Sequence, residues 1–291
     1  MLAAHWTGRV QEADDFQAVA RPLQLVPPSS LPPALRVDEL GFDLEYTERV
    51  LPYLEWLYTS YFRVETEGVG HVPGSGRGLL VANHGGVVPW DGAMVRTAIR
   101  LEHPARRHAR MLVLDWAFSV PFLSQFLTRT GNVLAHPDNA VHLLRQDELV
   151  GVFPEGAKAA TKGIRQAYQV SRFGRGGFVQ VALRTGAPIV PVAVVGAEET
   201  HPVLADLGPL ARRFGLPTFP ITPTFPWLGP LGAIPLPSKW LISFGEPIPT
   251  AGLGAEAAED PSLVLELAER VRGWIQQELV RLLPRRRTPF G

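Results

Sequence analysis

LLVANHGGVVPWDGAM, residues 79–94, opens as an unbroken apolar run, passes through Asn83-His84 and two glycines, and ends at helix-forming spacing that begins near Asp91. A short apolar run stopped by turn residues is the pattern of a strand buried on both faces, and its exit through a loop into a helix starts a βα unit. Comparable runs recur: MLVLD at 111–115, NVLA at 132–135, LVGVF at 149–153, PIVPVAVVG at 188–196 and WLISFG at 240–245, with helical stretches between them. That alternation predicts an α/β fold with a sheet covered by helices on both faces. Sites in such sheets gather beyond the carboxyl ends of the strands, where loops present side chains from a rigid base. His84 stands at such a position.

The flanks read differently. Residues 1–36 carry the Pro-rich run LVPPSSLPPALR and are expected to form an extended arm ahead of a single domain at 37–284, followed by a basic tail at 285–291. From Leu40 to Phe62 the residues Leu44, Leu51, Leu54, Leu57, Tyr58 and Tyr61 recur at helical spacing, and Pro52 is expected to kink or interrupt that helix. A closing helix is marked by Asp260 as N-cap, Pro261 in the first turn, and Leu263, Val264, Leu267, Val271, Trp274, Ile275 and Leu279 on one face, with Pro284 to stop it. It is expected to pack on the sheet.

Composition excludes whole classes of chemistry. Lys plus Arg and Asp plus Glu number 28 each, so no global field draws the chain to nucleic acid. Two local clusters, Arg106-Arg107-His108 with Arg110, and Arg285-Arg286-Arg287, are placed either to meet anionic head groups or cofactor phosphates, or simply to face water. With no cysteine, disulfides, thiolate metal sites and cysteine nucleophiles are ruled out. The opening MLAAHWTGRVQEADD turns polar before an apolar signal core forms, so no secretory leader is expected and the chain is expected to stay inside the cell. Nor is there a run of about twenty apolar, helix-forming residues, which makes membrane contact interfacial rather than spanning.

Two constellations carry the chemistry. Histidine is the natural general base near neutral pH, and a carboxylate on its second ring nitrogen fixes the tautomer and steadies the imidazolium. His84 and Asp91 offer that pair, although Asp91 is also placed to cap the following helix and Gly85-Gly86 to make a plain turn. The second is Phe153-Pro154-Glu155-Gly156, a strand-like run ending in a turn, followed by Lys158, Lys162 and Arg165; its innocent reading is a turn whose cations face water.

Taken in order, Asn83-His84 with Asp91, TGNVLAHPDNA at 130–140, Phe-Pro-Glu-Gly at 153–156 and GAPIVPVAVVGAEET at 186–200 resemble the glycerolipid acyltransferase family, which includes the lysophosphatidate acyltransferases. The resemblance covers roughly residues 60–250. It implies an acyltransferase-like fold with a mixed, largely parallel sheet, His84 as base, Asp91 as its orienting acid, and an acceptor site shaped by Glu155 and Gly156 with Lys158, Lys162 and Arg165. SRFGRGGF at 171–178 places Arg172 and Arg175 as possible ligands of a thioester donor's phosphates. The chain departs from the family in three ways. Six residues separate His84 from Asp91 where four are usual, Ala157-Lys158 follows Glu155-Gly156 where an arginine is expected, and His136-Pro137 replaces another arginine. Because arginine grips phosphate bidentately and lysine only as a point charge, an acceptor lacking phosphate becomes plausible.

The implied reaction moves a fatty acyl group from acyl-CoA or acyl carrier protein, as co-substrate, to a lipid hydroxyl, with no cofactor and no metal. Transfer is expected to be direct, since the chain has no G-x-S-x-G elbow. Backbone N–H groups at Gly85, Gly86 or Gly156 are the candidates for the oxyanion. Residues 215–237, GLPTFPITPTFPWLGPLGAIPLP, are uncharged, and their seven prolines forbid a continuous helix. Phe219, Phe225, Trp227, Leu228, Leu231 and Ile234 are therefore expected to meet a membrane surface, which would make the protein cytoplasmic and peripheral on the membrane's inner face. The alternatives are a loop folded over the core, and for the whole chain an acyl thioesterase or lipid hydrolase, or a catalytically silent lipid-binding module.

Overall fold

A computed structural model describes residues 37–86, 88–120, 122–156, 162–213 and 219–291. The expected arm at 1–36, Lys158 and residues 215–218 lie outside the described residues. In chain order the elements are α1 (Leu44–Trp56), β1 (Glu65–Glu67), β2 (Gly78–Ala82), α2 (Trp90–Glu102), β3 (Ala109–Val113), α3 (Asp115–Phe118), α4 (Leu123–Arg129), β4 (Val133–Leu134), α5 (Pro137–Arg145) and β5 (Leu149–Val152). They continue with α6 (Gly177–Thr185), β6 (Ile189–Val195), β7 (Ala205–Asp206), α7 (Gly208–Arg213), β8 (Pro220–Ile221), β9 (Leu241–Phe244) and α8 (Pro261–Leu282).

Seven strands form one sheet in the order β1-β9-β6-β2-β5-β3-β4. Every neighbouring pair is parallel except β6 with β9. The sheet is thus mixed and largely parallel. β2, β3, β4, β5 and β6 all end at the same edge, and Val81 pairs with Val152 in register. His84 and Glu155 consequently leave the sheet at the same level, on adjacent strands.

Side chains of β2 alternate between two cores, as strand geometry requires. Leu79 and Val81 join Val179, Ala182, Val271 and Ile275 on the face covered by α6 and α8. Leu80 and Ala82 join Met94, Val95, Ala98 and Ile99 of α2 on the other. Full burial of each large aliphatic side chain contributes roughly 1.5–3 kcal/mol. The closing helix starts as expected: Asp260 Oδ1 accepts from the N–H groups of Ser262 (2.9 Å) and Leu263 (3.3 Å). It gives way to a 3₁₀ turn at Leu283–Arg285.

Three expectations are corrected. α1 is not interrupted at Pro52 but runs through it, loosening only afterwards into a π-helical turn at Leu57–Tyr61. Pro52 lies on the exposed side, where water can serve the carbonyl that loses its donor. The central basic cluster does not form an anion site. Arg107 donates to the carbonyls of Pro73 (2.9 Å), Gly76 (2.7 Å) and Asp147 (2.7 Å). Arg110 is buried, with Nη1 on Asp38 (2.6 Å) and Nε on the Gly131 carbonyl (2.9 Å). Burial and the charges of Arg96 and Arg100 push His108 down to about 4, so it is neutral at physiological pH. The basic tail is strapped to the body: Arg285 pairs with Glu67, Arg286 with Glu199 at 2.6 Å, and the Lys239 N–H donates to the Pro289 carbonyl at 2.8 Å.

Arg110 is buried but its partner Asp38 keeps 35% of its side-chain exposure, so removing the guanidinium leaves a carboxylate that water partly serves and a Gly131 carbonyl without its donor, at a cost of about 1–2 kcal/mol. Arg110→Met is expected to lower unfolding free energy by about that amount in urea titration, and to leave binding to anionic vesicles unchanged. A variant as stable as wild type that binds such vesicles less well would return Arg110 to a surface role.

Candidate active site

The site begins with Asn83, which stands in for one more strand residue. Its side-chain Nδ2 donates to the Val194 carbonyl (2.9 Å), and its Oδ1 accepts from the Val194 N–H (2.8 Å). This pair extends the β2–β6 ladder through a side chain and fixes where the loop departs. His84 follows immediately, and its ring packs tilted on Phe153 with centroids 5.2 Å apart.

His84 Nδ1 lies 2.5 Å from Asp91 Oδ2. Asp91 is completely buried; the same Oδ2 accepts from the Gly85 N–H (3.0 Å), and Oδ1 accepts from the Gly92 N–H (2.8 Å). Asp91 sits in the first turn of α2, yet the N-cap is Pro89 and the carboxylate turns back to the loop. The wider six-residue gap is taken up by a loop that doubles back through Gly86, whose φ of +81° suits glycine. His84 Nε2 has no partner among the described residues, and the side chain keeps 13% of its exposure.

Glu155 underpins the same loop from β5. Its Oε1 accepts from the His84 backbone N–H (3.2 Å), and its Oε2 accepts from the Ser171 N–H (2.8 Å) and pairs with Lys162 Nζ (2.5 Å). The structure therefore brings together His84, Asp91, Glu155 and Lys162. Gly156 makes the turn, with its N–H on the Phe153 carbonyl at 3.0 Å. Lys162, expected to meet the acceptor, instead has its charge spent on Glu155 in a buried pair. Arg165, Arg172 and Arg175 all have exposed side chains.

Burial is the largest single influence on His84 and pulls its pKa down. The charge of Asp91, its hydrogen bond and the charge of Glu155 together outweigh that pull, against a smaller opposing push from Lys162, and the net shift is upward from 6.5. An imidazole so held can accept a proton at Nε2 while Asp91 secures the other nitrogen. Two contributors had no assigned role in the sequence reading: Asn83, whose clamp on β6 only the sheet order reveals, and Glu198, which packs against Gly85. The position of Glu198 at the carboxyl end of β6 was its only signal.

A family profile described as Acyltransferase matches residues 63–195. An uncharacterized protein of Mycobacterium tuberculosis is 49% identical over 255 residues, covering 87% of this chain and 71% of that protein. A Gallus gallus protein named DGAT1/2-independent enzyme synthesizing storage lipids is 26% identical over 184 residues, covering 63% of this chain and 50% of that one. The crystal structure of the 1-acyl-sn-glycerophosphate (LPA) acyltransferase PlsC from Thermotoga maritima shares the fold, with a TM-score of 0.53 at 19% identity and 84% of each chain covered. The chain belongs to the acyltransferase family.

Titration of the His84 ring followed by NMR is expected to give a midpoint above 6.5. Asp91→Asn deletes the charge that raises it while burial remains, so the midpoint should move to lower pH. A midpoint that stays in place would dissolve the electrostatic link between the two residues.

Proposed function

We propose that this acyltransferase moves a fatty acyl group from a thioester, acyl-CoA or acyl carrier protein, to a hydroxyl of a glycerolipid or related lipid alcohol, with His84 as general base. The observation that carries the reading is the His84–Asp91 contact, which leaves Nε2 as the ring nitrogen open to a substrate. The acceptor O–H donates to Nε2; as its oxygen attacks the thioester carbonyl, the proton passes to His84. Collapse of the tetrahedral intermediate breaks the C–S bond, and the leaving thiolate takes the proton back from the imidazolium. No cofactor beyond the thioester enters this scheme. The Gly85 and Gly156 N–H groups are already committed, to Asp91 and to the Phe153 carbonyl. Of the three candidate oxyanion donors, the Gly86 N–H is the one without a partner among the described residues.

An acceptor without phosphate fits the charges best. Lys162 is occupied by Glu155, and His136-Pro137 offers no guanidinium fork. The test is purified protein with a labelled acyl thioester and a panel of glycerol-3-phosphate, lysophosphatidate, other lysophospholipids, diacylglycerol and long-chain alcohols. Transfer to a neutral alcohol is expected, with a kcat/KM above that for lysophosphatidate. His84→Ala should lower turnover by about 10²–10⁴-fold with the fold intact. Full activity in a folded His84→Ala protein would end this mechanism, and release of free acid without an alcohol would favour a hydrolase.

We infer that the acceptor arrives from a membrane and that the protein works as a peripheral protein on the cytoplasmic, inner face. Among the described residues no helix is long and apolar enough to cross one. The support is an exposed apolar surface in the Pro-rich segment: Trp227 is 71% exposed, and Leu228, Leu231 and Ile234 more than half. Tyr53 and Trp56 continue it, joined through Tyr61, whose hydroxyl donates to the Pro235 carbonyl at 2.7 Å. Phe219 and Phe225, expected on that surface, instead pack half-buried against each other with ring centroids 5.3 Å apart. Leaving such groups in water costs roughly 25 cal/mol per Å², and tryptophan favours the head-group level. Changing Trp227, Leu228 and Leu231 to serine should cut sedimentation with liposomes while the melting temperature holds. Undiminished liposome binding with a collapsed melting temperature would make the segment core.

A further inference from the structure

Beyond β6 the chain turns through Gly196–Thr200 behind the His84 loop. A Cβ on Gly85 would come within 2.7 Å of Glu198 Cγ, so this side chain packs directly against the residue that follows His84. Glu198 Oε2 accepts from the Tyr168 N–H at 2.9 Å. Its Oε1 is sealed from solvent and has no hydrogen-bond partner among the described residues. The described charged and titratable groups around it are spoken for. Lys162 Nζ is 2.5 Å from Glu155 Oε2. Glu199 is held by Arg286 at 2.6 Å and by the Tyr168 hydroxyl. His84 and Asp91 pair with each other across Gly85.

An ionised carboxylate with a buried, unpaired oxygen and no cation of its own is costly, and the usual resolution is to keep the proton. Burial pushes Glu198 up to about 7, with Glu155 and Glu199 adding to it and Lys162 and the Tyr168 N–H opposing. We propose that Glu198 is a positioning residue of the acyl-transfer site that works as the neutral acid, bracing Gly85 against the end of β6 and keeping a second negative charge away from the carbonyl under attack. The inference rests on the acyl-transfer reading above. Loss of the proton harms the site in two ways: the new charge repels the developing oxyanion, and it draws Lys162 off Glu155, whose other oxygen holds the His84 N–H. A bound acyl chain excludes more water and favours the proton further.

The experiment is the pH profile of kcat and kcat/KM for wild type, Glu198→Gln and Glu198→Ala, with acyl-CoA and the acceptor that the panel identifies. Wild type should rise as His84 loses its proton and then fall as Glu198 does, by about tenfold per pH unit on the far side, with the fall in kcat displaced to higher pH than that in kcat/KM. Glu198→Gln keeps the Tyr168 N–H bond and should lose the fall. Glu198→Ala should lose turnover at every pH, and glutamine should rescue it. A second readout needs no turnover. A carboxyl raised from 4.5 to about 7 on folding contributes stability that is fully present below 4.5 and lost as pH rises through about 7. The melting temperature of Glu198→Gln relative to wild type should therefore climb across that window. A thermal difference flat with pH, or the same alkaline fall in Glu198→Gln, overturns the neutral Glu198. Absence of acyl transfer in every protein, with the thermal difference intact, overturns the acyl-transfer reading instead.

Discussion

Strand β2 is hydrogen-bonded along both edges, to β5 and to β6, and all five of its residues are buried. The chain leaving it has no freedom to choose a direction. Asn83 prolongs the constraint by pairing with both polar backbone groups of Val194, so the backbone at His84 is set before any catalytic contact forms. Each neighbouring strand then sends one carboxylate to the same loop: Glu155 from β5 reaches the His84 N–H, and Glu198 from beyond β6 lies against Gly85. The third carboxylate, Asp91, comes from the helix that returns over the sheet. Three acids around one histidine follow from parallel strands ending at one edge.

That gathering creates an electrostatic problem, and the structure resolves it by giving each acid a different environment. Asp91 is fully buried but accepts from His84, Gly85 and Gly92. Glu155 is buried with the single cation Lys162 and two backbone donors. Glu198 has one donor and no cation of its own among the described residues. A buried carboxylate is stable in proportion to what it accepts, and Glu198, which accepts least of the three, is the one that burial pushes toward keeping its proton.

Much of this was legible in the sequence, and the exceptions are instructive. The apolar run that opens at Leu79 and those at 149–153, 188–196 and 240–245 became β2, β5, β6 and β9, because a strand buried on both faces writes a continuous hydrophobic signal. β1, with the sequence Glu-Thr-Glu, carries no such signal, since an edge strand half open to water has no reason to be apolar. The antiparallel direction of β9 is likewise absent from its composition. His84, Asp91 and Glu155 stood out as chemistry because each sits beside glycines at a strand end or helix start. The fates of Arg107, Arg110 and Lys162 did not, because a charge run in sequence does not say which carbonyl or carboxylate folding will bring to it. Glu198 was hidden for the same reason: its neighbour Gly85 is remote in sequence and adjacent only across the sheet.

The commitment of Lys162 bears on what the proposed site accepts. Around His84 the described charges are Asp91, Glu155 and Lys162, a net negative balance even with Glu198 neutral. A phosphate brought close to Nε2 would feel that balance directly, in a setting where burial weakens screening. The exposed Arg165 and Arg172 face water, where a guanidinium offers less than it would in a closed site. A neutral hydroxyl meets no such penalty, and its proton is drawn toward an imidazole whose basicity the same carboxylates raise. The negative surroundings that disfavour an anionic acceptor are thus the ones that would strengthen His84 as the proposed base. The oxyanion must then rely on backbone donors and on keeping further charge away.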